Sequence, residues 1–194
     1  VRHVARALVD AGATDVVVVL GHRADDVAWA VHDLPVLTVV NESYAAGHAT
    51  SLRKGLVTLP DIDGPTIVAL ADQPLLDAED VAVLLEAWQR RGAARAVVPR
   101  VQGRRGHPVL LDASVGPEIL RGDATYGARE WLDEHPDEVA WFDSDNLHYL
   151  EDVDFPEDDG FSDAFVLQGD DETAVRALFA AAVRQQALRL GYRH

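Results

Sequence analysis

A three-layer, Rossmann-like α/β fold with a mostly parallel central sheet is predicted by three features of this 194-residue chain. Apolar runs of strand length, Val16–Leu20, Val36–Val40 and Thr66–Ala71, carry little polar alternation, as expected of strands covered on both faces. Segments with helical spacing separate them, which implies βαβ crossovers. The third run ends in Asp72-Gln73-Pro74, and Pro74 cannot donate to a strand ladder, so the chain turns there. Asp72 is thereby aimed at the carboxyl edge of a parallel sheet, where open α/β folds place ligands. An exposed carboxylate at that edge is a candidate magnesium ligand.

Each element has a local reason. Val4 to Ala11 reads as a helix closed by Gly12, and Val16–Leu20 as a β-branched strand ended by Gly21-His22. Asp25 and Asp26 suit the start of a helix carrying Val27, Trp29, Ala30 and Val31. After the strand Val36–Val40 and a loop containing Gly47, Thr50 or Ser51 can cap a helix through Leu52, Leu56 and Leu59. Ala78 to Arg91 reads as an amphipathic helix closed by Gly92. Ala94–Val98 and Val109–Leu111 read as strands around the loop 100–108, Ala128 to His135 as a helix and Val139–Phe142 as a strand. Glu151–Asp159 is a dense acidic turn, and Glu172 to Leu190 has the spacing of a terminal amphipathic helix. The simplest division is a domain over 1–159 and a C-terminal appendage over 160–194.

Bulk properties exclude several classes. A formal charge of −16 argues against nucleic acid as a partner, because phosphate binding needs clustered cations. No apolar stretch has membrane-spanning length and the amino terminus has no apolar signal core, so a cytoplasmic protein is expected. Zero cysteines exclude disulfides and thiolate chemistry. Lys54 is the only lysine among the 17 basic residues, a bias that either salt adaptation or GC-rich codons produce. Val1 already lies inside a helical pattern, and an α/β domain would place a strand before it. We therefore expect residues upstream, or a substitute strand, for which Ala164–Leu167 is the spare segment.

Four constellations carry candidate chemistry. Asn41 to Leu56 sets small and hydroxyl residues, among them Gly47 and Ser51, at a helix start whose unpaired N–H groups can hold an anion. Ordinary capping by Thr50 or Ser51 is the simpler reading of those residues alone. Asp72 likewise suits either a metal or the cap of the helix near Asp77. Asp152 and Asp154 offer a second acid to share an ion with Asp72, or a solvated acidic turn. Arg104 to Pro108 offers cations and a glycine for close approach of an anion, or an exposed hairpin.

The order of these motifs resembles the MobA-like nucleotidyltransferases, most closely the MocA branch, the molybdenum cofactor cytidylyltransferases. The matching segments are Asn41…Gly47…Ser51-Leu52-Arg53…Gly55-Leu56, Ala71–Leu75, Arg105–Val109, Gly122-Asp123…Gly127-Ala128-Arg129 and Asp152–Asp158. The resemblance implies a nucleotidyltransferase fold of the nucleotide-diphospho-sugar type. It implies transfer of CMP from CTP to a phosphorylated, molybdopterin-type acceptor with release of pyrophosphate. By the same resemblance Asp72 and Asp154 are the catalytic, Mg²⁺-binding acids. Asn41, Gly47 and Ser51 join Asp72 in the nucleotide half, and Gly106, His107, Asp123 and Arg129 lie near the acceptor. A molybdoenzyme or its chaperone is the implied protein partner. The family's opening LAAGxSxRxGxxK segment is expected before Val1, Phe155 stands where the family has threonine, and Gly122–Gly127 is two residues longer than usual. Loss of that opening phosphate loop would leave a non-catalytic, cofactor-carrying protein as the alternative.

Overall fold

Successive residues along the central strands are buried toward opposite faces, and this alternation builds the layers. In a computed structural model, residues 1–59 and 64–151 are described, together with the backbone of Leu178–Ala182. The elements are α1 (Arg2–Asp10), β1 (Asp15–Leu20), α2 (Ala24–Val31), β2 (Leu37–Val40), α3 (His48–Thr58) and β3 (Thr66–Leu70). They continue with α4 (Ala78–Gln89), β4 (Ala96–Val101), β5 (Arg104–Arg105), β6 (Val109–Leu111), α5 (Val115–Arg121), α6 (Ala128–Glu134), β7 (Val139–Asp143) and β8 (Leu178–Ala182). Val16, Val18, Leu20, Ile67, Ala69, Val97 and Leu110 point into one core with α1, α2 and α4. Val68, Ala96, Val98, Val109 and Leu111 point into the other, against Leu52 of α3, Ile119 of α5 and Trp131 of α6. The period of two along a strand sorts neighbours to opposite faces, so helices cover both sides of the sheet. The three-layer expectation holds.

The sheet order is β2-β1-β8-β3-β6-β4-β5, with β7 also paired to β4. Among the described residues, only the strand pairs β1–β2 and β4–β7 are parallel, which corrects the expectation of a mostly parallel sheet. β8 runs against both β1 and β3, and β6 runs against both β3 and β4. β1, β2, β3, β4 and β7 therefore share one direction, but two reversed strands are interleaved among them.

β8 also corrects the terminal-helix expectation. Within Glu172–Leu190, Leu178–Ala182 is a strand, and the remainder lies outside the described residues, as does Ala164–Leu167. Its register joins Val18 to Phe179 on one side and Leu70 to Leu178 on the other. Alanine-rich sequence favours helix, yet β1 and β3 are buried and their inner backbone groups need partners. Tertiary demand decides this element.

Smaller differences have equally local causes. α3 begins at His48 with Gly47 as N-cap, so Thr50 and Ser51 lie inside the first turns and do not cap it. No element was expected over α5, which carries Gly116 and Pro117 in its first turn. Pro117 is tolerated in a first turn, and Asp112 orders the approach by accepting from Ser114 N (3.0 Å) and Oγ (2.6 Å). The hairpin β4–β5 turns through Gln102 and Gly103 at φ 52° and 78°, the left-handed pair such a tight turn requires.

Ending the chain at residue 177 is expected to lower stability by several kcal/mol. The estimate uses about 1 kcal/mol per lost interstrand hydrogen bond. Urea denaturation of the shortened and full chains measures it, and unchanged midpoints would show that β8 does not complete the sheet.

Candidate active site

The sheet's carboxyl edge carries Asp72 and Gln73, two and three residues past the end of β3. Asp72 was expected to be exposed; it is only 9% exposed. The capping alternative for it does not hold. Asp77 caps α4, accepting from Glu79 N at 2.9 Å and Asp80 N at 3.0 Å, while Asp80 Oδ2 accepts from Asp77 N at 2.9 Å.

On the other side of the edge, Asn41 fastens β2 to the start of α3. Its backbone N–H donates to Leu20 O at 2.7 Å, and its Nδ2 donates to Thr50 Oγ1 and Ser51 Oγ, both at 2.9 Å. Its Oδ1 accepts from Ser43 N at 3.0 Å, closing an Asx turn. Thr50 Oγ1 in turn donates to Gly47 O at 2.8 Å. Asn41 and Ser51 are buried polar groups satisfied by one another. Gly47, at φ 116°, is the N-cap of α3, and no side-chain cap bond occupies the first amides of that helix. These three nucleotide-half residues are thus one assembled unit.

The acceptor-side residues converge less completely. His107 N donates to Tyr149 O at 2.9 Å, and His107 O accepts from Gln73 Nε2 at 3.2 Å. A side chain at Gly106 would meet Tyr149 O at 2.5 Å, so glycine is needed for that backbone crossing rather than for an incoming anion. Arg105 forms an ion pair with Asp133 at 2.6 Å. Burial, aided by the nearby His48, pushes the His107 imidazole down to about 4. Gly127 packs on Ala49, 3.3 Å from an added Cβ, which brings the start of α6 and its exposed Arg129 beside α3. Asp123 is exposed, and its Oδ1 accepts from Thr125 N (2.8 Å) and Oγ1 (2.6 Å), which hold the carboxyl below its usual range. Its visible task is to shape the turn before α6. Asp154 lies outside the described residues.

Sequence reasoning gave no role to His48 or Gln73. The glycine before His48 and the amide after Asp72 were visible, but only the folded backbone brings both to His107. Among the described residues, Asp77, Asp80 and His148 offer ligand atoms within 4.8 Å of one another. The same closeness follows from hydrogen bonding. Asp80 accepts from His148 Nδ1 at 2.9 Å and from Asn146 Nδ2 at 2.5 Å in addition to the α4 cap. We read the trio as the joint between α4 and the turn Leu147–Tyr149.

Comparison with known proteins follows this geometry. The family described as MobA-like NTP transferase domain matches residues 1–139. Nicotine blue oxidoreductase of Paenarthrobacter nicotinovorans is 33% identical over 162 residues, covering 79% of this chain and 78% of that protein. The bifunctional protein GlmU of Brevibacillus brevis is 30% identical over 124 residues, 64% of this chain but only 25% of that protein. Among solved structures, Rv0371c from Mycobacterium tuberculosis has a TM-score of 0.61 at 22% identity, with 79% of this chain and 78% of that one covered. Its manganese complex scores 0.58 at 20% identity over 74% and 77% of the two chains. A nucleotidyl transferase from Methanothermobacter, Mth528, scores 0.56 at 20% identity, covering 77% and 73%. At these identities the structures show the shared fold.

The depressed His107 basicity yields a signed expectation. Between about 4 and the ordinary 6.5 the unfolded chain binds more protons at this histidine than the folded one. Its contribution to stability is complete above pH 6.5 and is lost as pH falls toward 4. With solvent screening allowed for, that amounts to roughly 1–3 kcal/mol. Urea midpoints of the native chain and His107→Gln, compared at pH 7 and pH 4.5, check it; parallel pH dependence in both would contradict the assignment.

Proposed function

The chain belongs to the MobA-like NTP transferase family, and from that premise we propose that it transfers a nucleotidyl group from a nucleoside triphosphate to a phosphorylated acceptor, releasing pyrophosphate. The observation that carries the reading is the convergence on His107 of two arms. One is the buried-acid edge Asp72-Gln73, and the other is the uncapped start of α3 braced by Asn41, Thr50 and Ser51. The first arm supplies a carboxylate for the triphosphate side, and the second supplies backbone donors suited to phosphate or base. CTP as donor and a molybdopterin-type phosphate as acceptor are the finer assignments drawn from the MocA resemblance.

A divalent ion suits the donor chemistry of this edge. Asp72 is a hard oxygen ligand, buried at the carboxyl end of β3, where it is shielded from bulk water. Asp154 is our second ligand by resemblance. Mg²⁺ or Mn²⁺ held there would neutralise charge on the triphosphate and the departing pyrophosphate. The protein's own task is positional. Nucleotidyl transfer needs an acceptor phosphate aligned opposite the leaving group, and no covalent protein nucleophile. His107 stays neutral at physiological pH and so contributes a ring N–H and an acceptor nitrogen rather than a charge. Arg129, exposed in the first turn of α6, would supply the cation for an anionic acceptor.

A second reading has one observation in its favour: the relative at 33% identity bears the name of an oxidoreductase. A redox reaction would consume a nicotinamide or flavin and release no pyrophosphate. The non-catalytic carrier is the third outcome, with acceptor bound and nothing turned over.

Asp72→Asn is expected to lower metal-dependent pyrophosphate release from CTP by about 10³-fold, equivalent to roughly 4 kcal/mol of lost charge stabilisation. Folding stability should hold or rise, because the variant removes a largely buried carboxylate. Coupled pyrophosphate detection with Mg²⁺ or Mn²⁺, beside thermal unfolding, measures both. Equal turnover in the two proteins would remove Asp72 from the reaction, and reduced-nicotinamide oxidation without pyrophosphate would favour the redox reading.

A further inference from the structure

We infer that Gln73 is a positioning residue that locks His107 in place for the acceptor and ties the acceptor loop to the acid edge; this rests on the nucleotidyl-transfer reading above. Gln73 is 1% exposed, and its side-chain Nε2 faces three backbone carbonyls. It donates to His107 O at 3.2 Å, Tyr149 O at 3.3 Å and His148 O at 3.4 Å. Those distances define a shared donor at the centre of a carbonyl fork rather than one strong bond. Tyr149 O also accepts from His107 N at 2.9 Å, so the amide, the histidine backbone and the tyrosine turn close a small cycle.

The orientation of the amide is fixed by this environment. Turned over, its oxygen would confront three carbonyls, with no donor among them. In the observed orientation Oε1 is buried and has no hydrogen-bond partner among the described residues. A buried acceptor without a donor is destabilising, and native structures keep one only for a reason. Here the compensating gain is local. Three segments distant in sequence, the end of β3, the loop before β6 and the turn after β7, are pinned by one side chain adjacent to Asp72. A core chosen for stability alone would seat an aliphatic side chain at this place. An amide there sets geometry, and one of the backbones it holds is that of His107.

Loss of the fork would free the His107 loop to move without touching Asn41, Ser51 or the start of α3. The acceptor half should therefore fail selectively. In Gln73→Met, close in volume and without the donor, we expect the acceptor KM to rise about tenfold and the nucleotide KM to stay within about twofold. Gln73→Asn, a shorter amide, should fall between the two proteins. A second readout needs no turnover. The His107 ring, followed by NMR in the free protein, should titrate near 4 in the native chain and move toward 6.5 in the Met variant as the loop admits water. A shifted His107 titration in a protein that turns over no nucleotide would uphold the positioning role and sink the transfer reading. An unshifted titration, equal rises in both KM values, or unfolding of both variants would each overturn the proposal, the last by making Gln73 a strut of the core.

Discussion

The backbone groups of β1 and β3 must find partners inside the protein, and the rest of the molecule is arranged around that requirement. Val16–Leu20 and Ile67–Ala69 are buried on both faces, so water cannot satisfy their inner N–H and C=O groups. β8 does so, aligned with β1 and β3 in antiparallel register. With that slot filled, β3 is held central, and its carboxyl end emerges between covered faces rather than at an open margin. Asp72 owes its burial to this placement. A carboxylate in such a setting is costly unless compensated, which is why the proposed reading places its chemistry at this edge.

The two halves of the candidate site use different materials. On the α3 side, Asn41 spends its amide on hydroxyls, and no side chain caps the helix. On the acceptor side, backbone is held by backbone and by Gln73, with Gly106 required because Tyr149 crosses too closely for any Cβ. Arg53 serves neither half directly: it donates to Ile119 O and to Leu120 O, capping the end of α5. In that position it anchors α3 to the layer carrying α5 and α6, and so fixes the distance between the nucleotide and acceptor sides.

Much of this was legible in the sequence for one reason: apolar runs and turn residues act locally. β1, β3 and β6 were read from their valines and leucines, and the stop at Pro74 placed Asp72 correctly along the chain. Asn41, Gly47 and Ser51 were grouped by motif order, and the structure does join them. What escaped was set by partners distant in the chain. Leu178–Ala182 has helical composition and becomes a strand because a slot awaits it. Asp72 looked exposed because covering layers are invisible in a linear string. Gly106 looked like a ligand contact until Tyr149 was seen against it, and Gln73 sat inside a quoted motif without any hint of three carbonyls around it.

Charge supplies the last constraint. A protein of net charge −16 would have to overcome repulsion to bind a triphosphate, and several of its described arginines are committed elsewhere. Arg2, Arg91, Arg95, Arg100 and Arg105 pair with Asp33, Asp112, Glu118 and Glu138, Asp143 and Asp133, respectively. Arg91 and Arg95 also lie over Trp88 and Trp131, at 3.6 and 5.3 Å, which fixes them further in the framework. Arg129 is one of several arginines, with Arg6, Arg104 and Arg121, that make no ion pair among the described residues, and its own single charge does not balance a triphosphate. Backbone amides at a helix start contribute partial charges only. On the proposed reading a divalent ion supplies further positive charge, with Asp72 at the sheet edge as its ligand. On that reading acidity and triphosphate binding are no contradiction: the carboxylate at this edge recruits the ion that the triphosphate needs.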